Sequence, residues 1–363
     1  YRISFDGDHP NELWKALIHA INAEIVSLGE SLGFVRQEIY EIVVAGNATM
    51  RDLLFRLNVQ GIGQKPYKST IEHAFLAGER DTTAIYQSSR RVGIRVNPKA
   101  KVYGLPIIAS HVGGDVAADL VALDIGSQDE MVMVVDVGTN TEVVLGNRDR
   151  LVTASCPAGP AFEGGGIKFG MPGYDGAIES VRWVNNRFEC DVIGGGVAEG
   201  FCGSGLIDLL AELRRHDLMT PKGVFVDKKQ FEMTIVPEQN ITFSREDASN
   251  LAQAKAANYC GQLILMQQFG VTPEQIDRLY LSGGFANYVD INNAIEIGFL
   301  APVPIERIEK VGNAAIQGAR EVLLSQKKRA DIEALVKRIE HIELETQPDF
   351  FDAFVEGCQF KPM

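Results

Sequence analysis

Apolar residues in this chain come mostly in short runs separated by polar turns, with a few long amphipathic stretches between them. The clearest block is the run over 131–135, the pentapeptide Asp136-Val137-Gly138-Thr139-Asn140, the apolar segment 141–145, and a third strand-like run over 151–156 beyond the turn Gly146-Asn147-Arg148-Asp149. This pattern predicts consecutive hairpins opened by a buried strand. Upstream, the spacing predicts a helix over 10–28 with Pro10 near its start, a strand at Ile42, a helix over 49–57, a strand over 101–108 and a small-residue helix from Gly114 to near Leu123. Residues 61–100 are polar and irregular and read as an excursion outside the core. The turn-rich stretch 124–130 reads as a lobe junction.

Downstream, Asn185-Asn186 marks a hairpin turn, and Cys202-Gly203-Ser204-Gly205 opens a helix ending near Arg215. Ser244-Arg245-Glu246-Asp247 has the form of a capping box for a helix to about Phe269. Thr272-Pro273 signals another helix start. A strand over 278–282, a helix over 292–299, a charged helical region over 314–340 and a last strand at 342–344 complete the pattern.

An internal repeat organises these elements. The segment 37–47, ending in Val43-Val44-Ala45-Gly46-Asn47, matches 274–284, ending in Tyr280-Leu281-Ser282-Gly283-Gly284. In each, a short apolar strand feeds a glycine turn and then a helix. Val112-Gly113-Gly114 echoes Val311-Gly312-Asn313 in the same order. Two similar α/β lobes, 1–126 and 127–363, follow, and ligands in such sheets bind at the strands' carboxyl ends. The second lobe would open with the Asp136 loop, and no counterpart lies between Tyr1 and Ile42. Since Tyr1 is not an initiator Met, the natural protein is expected to extend further toward its N-terminus.

Composition narrows the class. The chain has 363 residues, of which 45% are apolar and 23% charged, enough for one large core or two. No apolar run approaches the ~20 residues that span a bilayer, so no membrane segment is expected. A net charge of -13 argues against nucleic-acid binding, which rests on basic patches. Five cysteines without close pairing point to reduced thiols and a cytoplasmic location. Neither the cysteine spacing nor the six scattered histidines forms a zinc or iron–sulfur motif, and His111 reads as structural.

The candidate chemistry gathers at glycine-rich turns. In Asp136-Val137-Gly138-Thr139-Asn140, backbone N–H groups and a hydroxyl can converge on phosphate oxygens, while the carboxylate holds a hydrated metal ion or positions a water. The stretch 158–171 joins Glu163 and Lys168 to several open backbone positions. Gly203 and Ser204 at a helix start can take an anion or form a packing turn. Gly283-Gly284-Phe285-Ala286-Asn287 allows close approach of something flat or bulky.

Taken together, Asp136 to Asn140, Ala158-Gly159-Pro160-Ala161-Phe162-Glu163-Gly164, Cys202 to Asp208, Leu281 to Tyr288 and Val311-Gly312-Asn313-Ala314-Ala315 resemble the reductive activators of corrinoid proteins, over nearly the whole chain. That family belongs to the acetate and sugar kinase, heat-shock ATPase and actin superfamily, whose two ribonuclease-H-like lobes close over a nucleotide; here the first lobe would be N-terminally incomplete. The resemblance implies ATP-dependent reduction of a partner's cob(II)alamin to cob(I)alamin. It further implies ATP with Mg as cofactor, a corrinoid protein as partner, and a [2Fe–2S] centre in an N-terminal domain that this chain lacks. It makes Asp136 the catalytic and metal-binding residue, Gly138, Thr139 and Asn140 the phosphate loop, Gly283 and Gly284 the adenosine loop, and Gly46 and Gly312 hinge positions. A homodimer is compatible with this reading. A small-molecule kinase using Glu163 or Asp175 as base, and a non-catalytic actin-like partner-binding module, are the alternatives.

Overall fold

The computed structural model describes residues 9–284 and 286–363. They divide into two compact units: one runs up to Ser127 and includes Ala314–His341, and the other comprises Gln128–Asn313 and Ile342–Met363. The sequence reading divides the chain at 126/127 and keeps everything beyond in the second lobe, whereas the compact units divide at 127/128 and the chain returns to the first unit at Ala314.

The first unit begins with helix α1 (His9–Leu32) and strand β1 (Glu41–Val44). Helix α2 (Ala48–Leu54) starts at Asn47, whose side chain accepts the Met50 N–H at 2.9 Å, as an N-cap should. Next come α3 (Thr70–Leu76), β2 (Ile85–Ser88), α4 (Ser89–Val92), β3 (Lys101–Gly104) and α5 (Gly114–Ala122). The sheet order is β1-β3-β2, with β1 parallel and β2 antiparallel to β3.

The expectation for 61–100 is overturned. Ile71, Ile85, Val92, Ile94 and Val96 from that stretch form the core with Leu54, Phe55 and Val102. Each short element turns only one or two apolar side chains inward, too few to produce a periodic signal. Burial comes from pairing β2 with β3, which no local pattern encodes.

The second unit is built on an antiparallel meander, β4 (Val132–Val137), β5 (Thr141–Gly146) and β6 (Leu151–Cys156). A hairpin follows, β7 (Ala177–Val184) and β8 (Arg187–Val192), turning at Asn185 and Asn186 with φ of 52° and 60°. Positive φ at both central residues is what a tight hairpin needs. The chain continues through β9 (Gly200–Phe201), α6 (Gly203–Arg215), β10 (Glu232–Val236), β11 (Ile241–Ser244) and α7 (Arg245–Phe269). Ser244 and Asp247 cap α7 reciprocally, side chain to backbone in both directions.

Thr272-Pro273 starts only the 3-10 turn Pro273–Gln275. The chain is already extended at Ile276 and enters β12 (Arg278–Ser282), leaving no room for a longer helix. Then come α8 (Ile291–Glu296) and β13 (Ile308–Gly312). Strands run in the order β13-β12-β4-β5-β6, with β12 parallel to both β13 and β4. Met133, Val135, Val143, Leu145, Leu279 and Leu281 from these strands join Leu206, Leu210, Cys260 and Ile264 of α6 and α7 in one core.

Helices α9 (Ala314–Leu324) and α10 (Gln326–Leu335) return to the first unit. Here α9 crosses α5 so closely that a Cβ on Gly318 would stand 1.9 Å from the Ala118 carbonyl oxygen. The last strand occupies Ile339–His341, earlier than the expected 342–344, although the Ile342 N–H still bonds the Thr153 carbonyl. Helix α11 (Phe350–Gly357) packs on α7, with Gly357 against Tyr259.

Candidate functional site

The carboxyl ends of three parallel strands, β4, β12 and β13, meet in the second unit. Ser282, the last residue of β12, lies opposite Asp136 of β4 on one side and Gly312 of β13 on the other. Asp136 is half-buried, while Gly138, Thr139 and Asn140 are exposed at the hairpin tip between β4 and β5. The tip is tightened by the Gly138 N–H donating to the Asn140 carbonyl at 3.0 Å.

Gly283 follows at a φ of 117°, and a Cβ there would stand 2.1 Å from the Val137 carbonyl oxygen. Only glycine allows the β12 turn to lie this close to the Asp136 hairpin. Gly284 is exposed, and nothing lies within 4 Å of where its Cβ would be. Gly312, at a φ of 63°, abuts the Asn287 side-chain amide, and the Lys310 ammonium donates to the Asn287 carbonyl at 3.3 Å. Phe285, within the motif read for bulky-ligand approach, lies outside the described residues.

The sequence-derived residues are placed as follows. Thr139 Oγ1 donates to Glu163 Oε2 at 2.7 Å, so the exposed Glu163 at the end of the 3-10 turn Ala161–Glu163 reaches the Asp136 loop. Thus Asp136, Gly138, Thr139, Asn140, Glu163, Gly283 and Gly284 lie in one connected set of contacts. Gly203 and Ser204 are buried in the first turn of α6, with the Ser204 hydroxyl 3.4 Å from Cys202 Sγ, and Gly205 lies against the Ile178 carbonyl. Asp175 packs beside Gly194. In the first unit, His111 Nε2 lies 3.1 Å from the Ile62 carbonyl oxygen, a structural contact.

Ser282 and Asn287, which the sequence motifs contain without marking, also join this site. The alignment of the two repeats carries the signal for Ser282: its counterpart is Ala45, which has no hydroxyl.

This arrangement suits a nucleotide. Backbone N–H groups at exposed Thr139 and Asn140 of the β4–β5 tip are the kind of donors that phosphate oxygens need, and Gly284 beside them leaves open space. Magnesium keeps several waters and takes one or two carboxylates besides phosphate oxygens. Asp136 fits that role, and among the described residues no group of three or more His, Cys, Asp or Glu forms a self-contained metal cage.

A mixed α/β chain with a hairpin and a glycine turn meeting at the ends of adjacent parallel strands is of the actin-like ATPase type. Two family models match it: the RACo middle region over residues 1–128, and the C-terminal domain of RACo, its ASKHA domain, over residues 130–363. The chain belongs to the RACo family.

It is 30% identical to the corrinoid activation enzyme RamQ of Eubacterium limosum, over 99% of this chain and 63% of that protein. It is 27% identical to the [Co(II) methylated amine-specific corrinoid protein] reductase of Methanosarcina barkeri, over 76% of this chain and 56% of that one. A solved structure of a reductive activator for corrinoid, iron-sulfur protein superposes with a TM-score of 0.86 and 35% identity, covering 97% of this chain and 57% of that chain. The chain thus spans somewhat over half the length of these relatives.

Proposed function

We propose that this chain is the nucleotide-binding and partner-binding part of an ATP-dependent activator that returns a corrinoid protein from cob(II)alamin to cob(I)alamin. The observation that carries the reading is the meeting of the Asp136 loop, Glu163 and the Gly283–Gly284 turn at the ends of β4 and β12. In it, the N–H groups of Thr139 and Asn140 hold phosphate oxygens, Gly138 keeps the hairpin tip tight through its own N–H bond to the Asn140 carbonyl, and the Gly283–Gly284 turn admits the adenosine. Asp136 would hold a hydrated Mg ion through its waters, and the ion would supply positive charge against the phosphates. Glu163 keeps the Thr139 hydroxyl in one rotamer.

Cob(II)alamin gains one electron in this step, supplied in our reading by a [2Fe–2S] centre carried outside this chain. Nucleotide contributes only through different affinities for two conformational states of the activator, one of which favours the reducible cobalt in the partner. The names of the relatives support a corrinoid protein as that partner. The five free cysteines support a reducing, cytoplasmic setting for this activity.

The test is ATP-stimulated formation of cob(I)alamin, followed spectroscopically with the full-length activator and its corrinoid protein. Asp136→Ala is expected to abolish the stimulation, and an unchanged rate would remove Asp136 from the mechanism.

A further inference from the structure

The β12–β13 pairing is irregular where the site begins. Leu281 pairs with Lys310, but the next residue, Ser282, pairs with Gly312, so Val311 is bulged out. A bulge loosens a ladder locally, and such places re-aim backbone next to functional sites. At this one, two donors converge on one acceptor. The Gly283 N–H reaches the Gly312 carbonyl at 3.0 Å, and Ser282 Oγ donates to the same oxygen at 3.2 Å. Ser282 is 1% exposed, so its hydroxyl faces no solvent.

We propose that Ser282 is a positioning residue that fixes the Gly283–Gly284 turn for the nucleotide by tying it to the Gly312 carbonyl across this bulge. The inference rests on the nucleotide reading of the site. Without the hydroxyl, the Gly312 carbonyl keeps the Gly283 N–H as its donor among the described residues, and glycine is the residue with most freedom to drift. With it, the carbonyl is held from two directions, and the open face of Gly284 keeps its place beside the Asp136 loop. The first repeat differs: Ala45 stands in the equivalent position with no hydroxyl, and the Gly114 N–H bonds the Gly46 carbonyl.

The control is a hydroxyl of the same kind elsewhere in the sheet. Thr153 of β6 is 0% exposed and donates to the Val143 carbonyl at 2.8 Å. Ser282→Ala and Thr153→Ala, each in the full chain, are compared for Mg·ADP and Mg·ATP affinity by calorimetry and for amide exchange at Gly283, Gly284 and Gly312. Ser282→Ala is expected to weaken nucleotide binding about five- to tenfold, the value of one hydrogen bond, and to speed exchange at the three glycines. Thr153→Ala is expected to lower stability by a similar amount and leave both readouts unchanged.

Affinity and exchange within twofold of wild type in Ser282→Ala, or equal shifts in Thr153→Ala, overturn the proposal. Should Ser282→Ala not fold, Ser282→Cys keeps the side-chain size with a weaker donor and is read the same way. If the unaltered chain binds no adenine nucleotide, the functional reading fails, and the exchange rates still decide whether Ser282 holds the turn.

Discussion

The two repeats place the same short strand and glycine turn in different service. After β1, Gly46-Asn47 is drawn into the framework: Asn47 caps α2, and Gly113 packs within 2.6 Å of the Asn47 Cα, measured from where its Cβ would be. After β12, Gly283 is pressed against the Val137 carbonyl, Gly284 faces open space beside the Asp136 loop, and Ser282 adds a hydroxyl. Each turn is closed by one backbone bond of 3.0 Å to its companion glycine segment, but the donor comes from Gly114 in the first copy and from Gly283 in the second. A repeated pattern therefore specifies a strand and a turn. Whether the turn serves stability or a ligand depends on what stands at its edges.

The sharpest way to break this contrast is at Arg51, one turn into the helix that Asn47 caps. Its guanidinium is fully buried, pairs with Asp52 at 2.7 Å, and donates to the carbonyls of Thr83 and Leu105 at 2.9 and 3.0 Å. Burial alone pushes the Asp52 carboxyl up and the Arg51 guanidinium down, and their mutual attraction opposes both shifts. Arg51→Ala leaves Asp52 buried and unpaired and should cost about 3–5 kcal/mol, read as a lowered denaturation midpoint with nucleotide affinity per folded molecule unchanged. An equal loss of nucleotide affinity would dissolve the division of labour.

The next effect belongs to the second turn. Gly283→Ala forces a side chain onto a left-handed backbone and into the Val137 carbonyl. It should cost about 1–3 kcal/mol of backbone strain and, because the turn must shift, weaken nucleotide binding about a hundredfold. Isothermal titration of the purified variant decides it.

A buried cation in the second unit sharpens the comparison through pH. Lys255 of α7 has no exposed surface, donates to the Gln359 carbonyl at 2.8 Å and lies over the Tyr259 ring at 5.1 Å. Burial pulls its ammonium down to about 7, against an opposing pull from Cys358, Cys260 and Glu356. Its unfolded value is about 10.4, so between these limits the unfolded chain binds more protons than the folded one. The contribution of Lys255 to stability should therefore rise with pH from about 7 to about 10, by at most about 1.4 kcal/mol per pH unit, and stay flat below 7 with the cost of the buried charge fully present, while the thiols of Cys156, Cys190, Cys260 and Cys358, pushed up by burial, work against it above the ordinary thiol range. Lys255→Met should flatten the profile. A slope that survives the substitution would assign it to other groups.

The smallest effect is expected at Gly46→Ala. Gly46 has no neighbour within 4 Å of a new Cβ and no positive φ, so stability should change by no more than about 0.5 kcal/mol. The difference between this variant and Gly283→Ala, in matched positions, is the cleanest measure of how far the repeats have diverged.

Much of the fold was legible because its signals are local. The β4–β5–β6 meander, the Asn185-Asn186 turn, the start of α6 at Gly203 and the capping box at Ser244 each depend on residues within a few positions of one another. The strand over 278–282 was placed at its observed bounds because it is a short apolar run stopped by glycine. Illegible parts share a different cause. The stretch 61–100 entered the core because β2 found β3, and the helix expected after Thr272-Pro273 shrank to one turn because β12 had to begin. For the site, motif glycines could be picked out one by one, but the contact of Glu163 with Thr139 could not be read from their spacing.

By itself the sequence determined the short strands, their glycine turns and the repeat, since these follow from side-chain size, backbone freedom and hydrogen bonds to near neighbours. Only the tertiary structure decided that Ser282 faces Gly312 and Asp136 at once, that Gly283 lies against Val137, and that Ala314–His341 returns to the first unit. Those facts depend on strand order and register, which are settled by the burial of whole faces against one another across long stretches of chain.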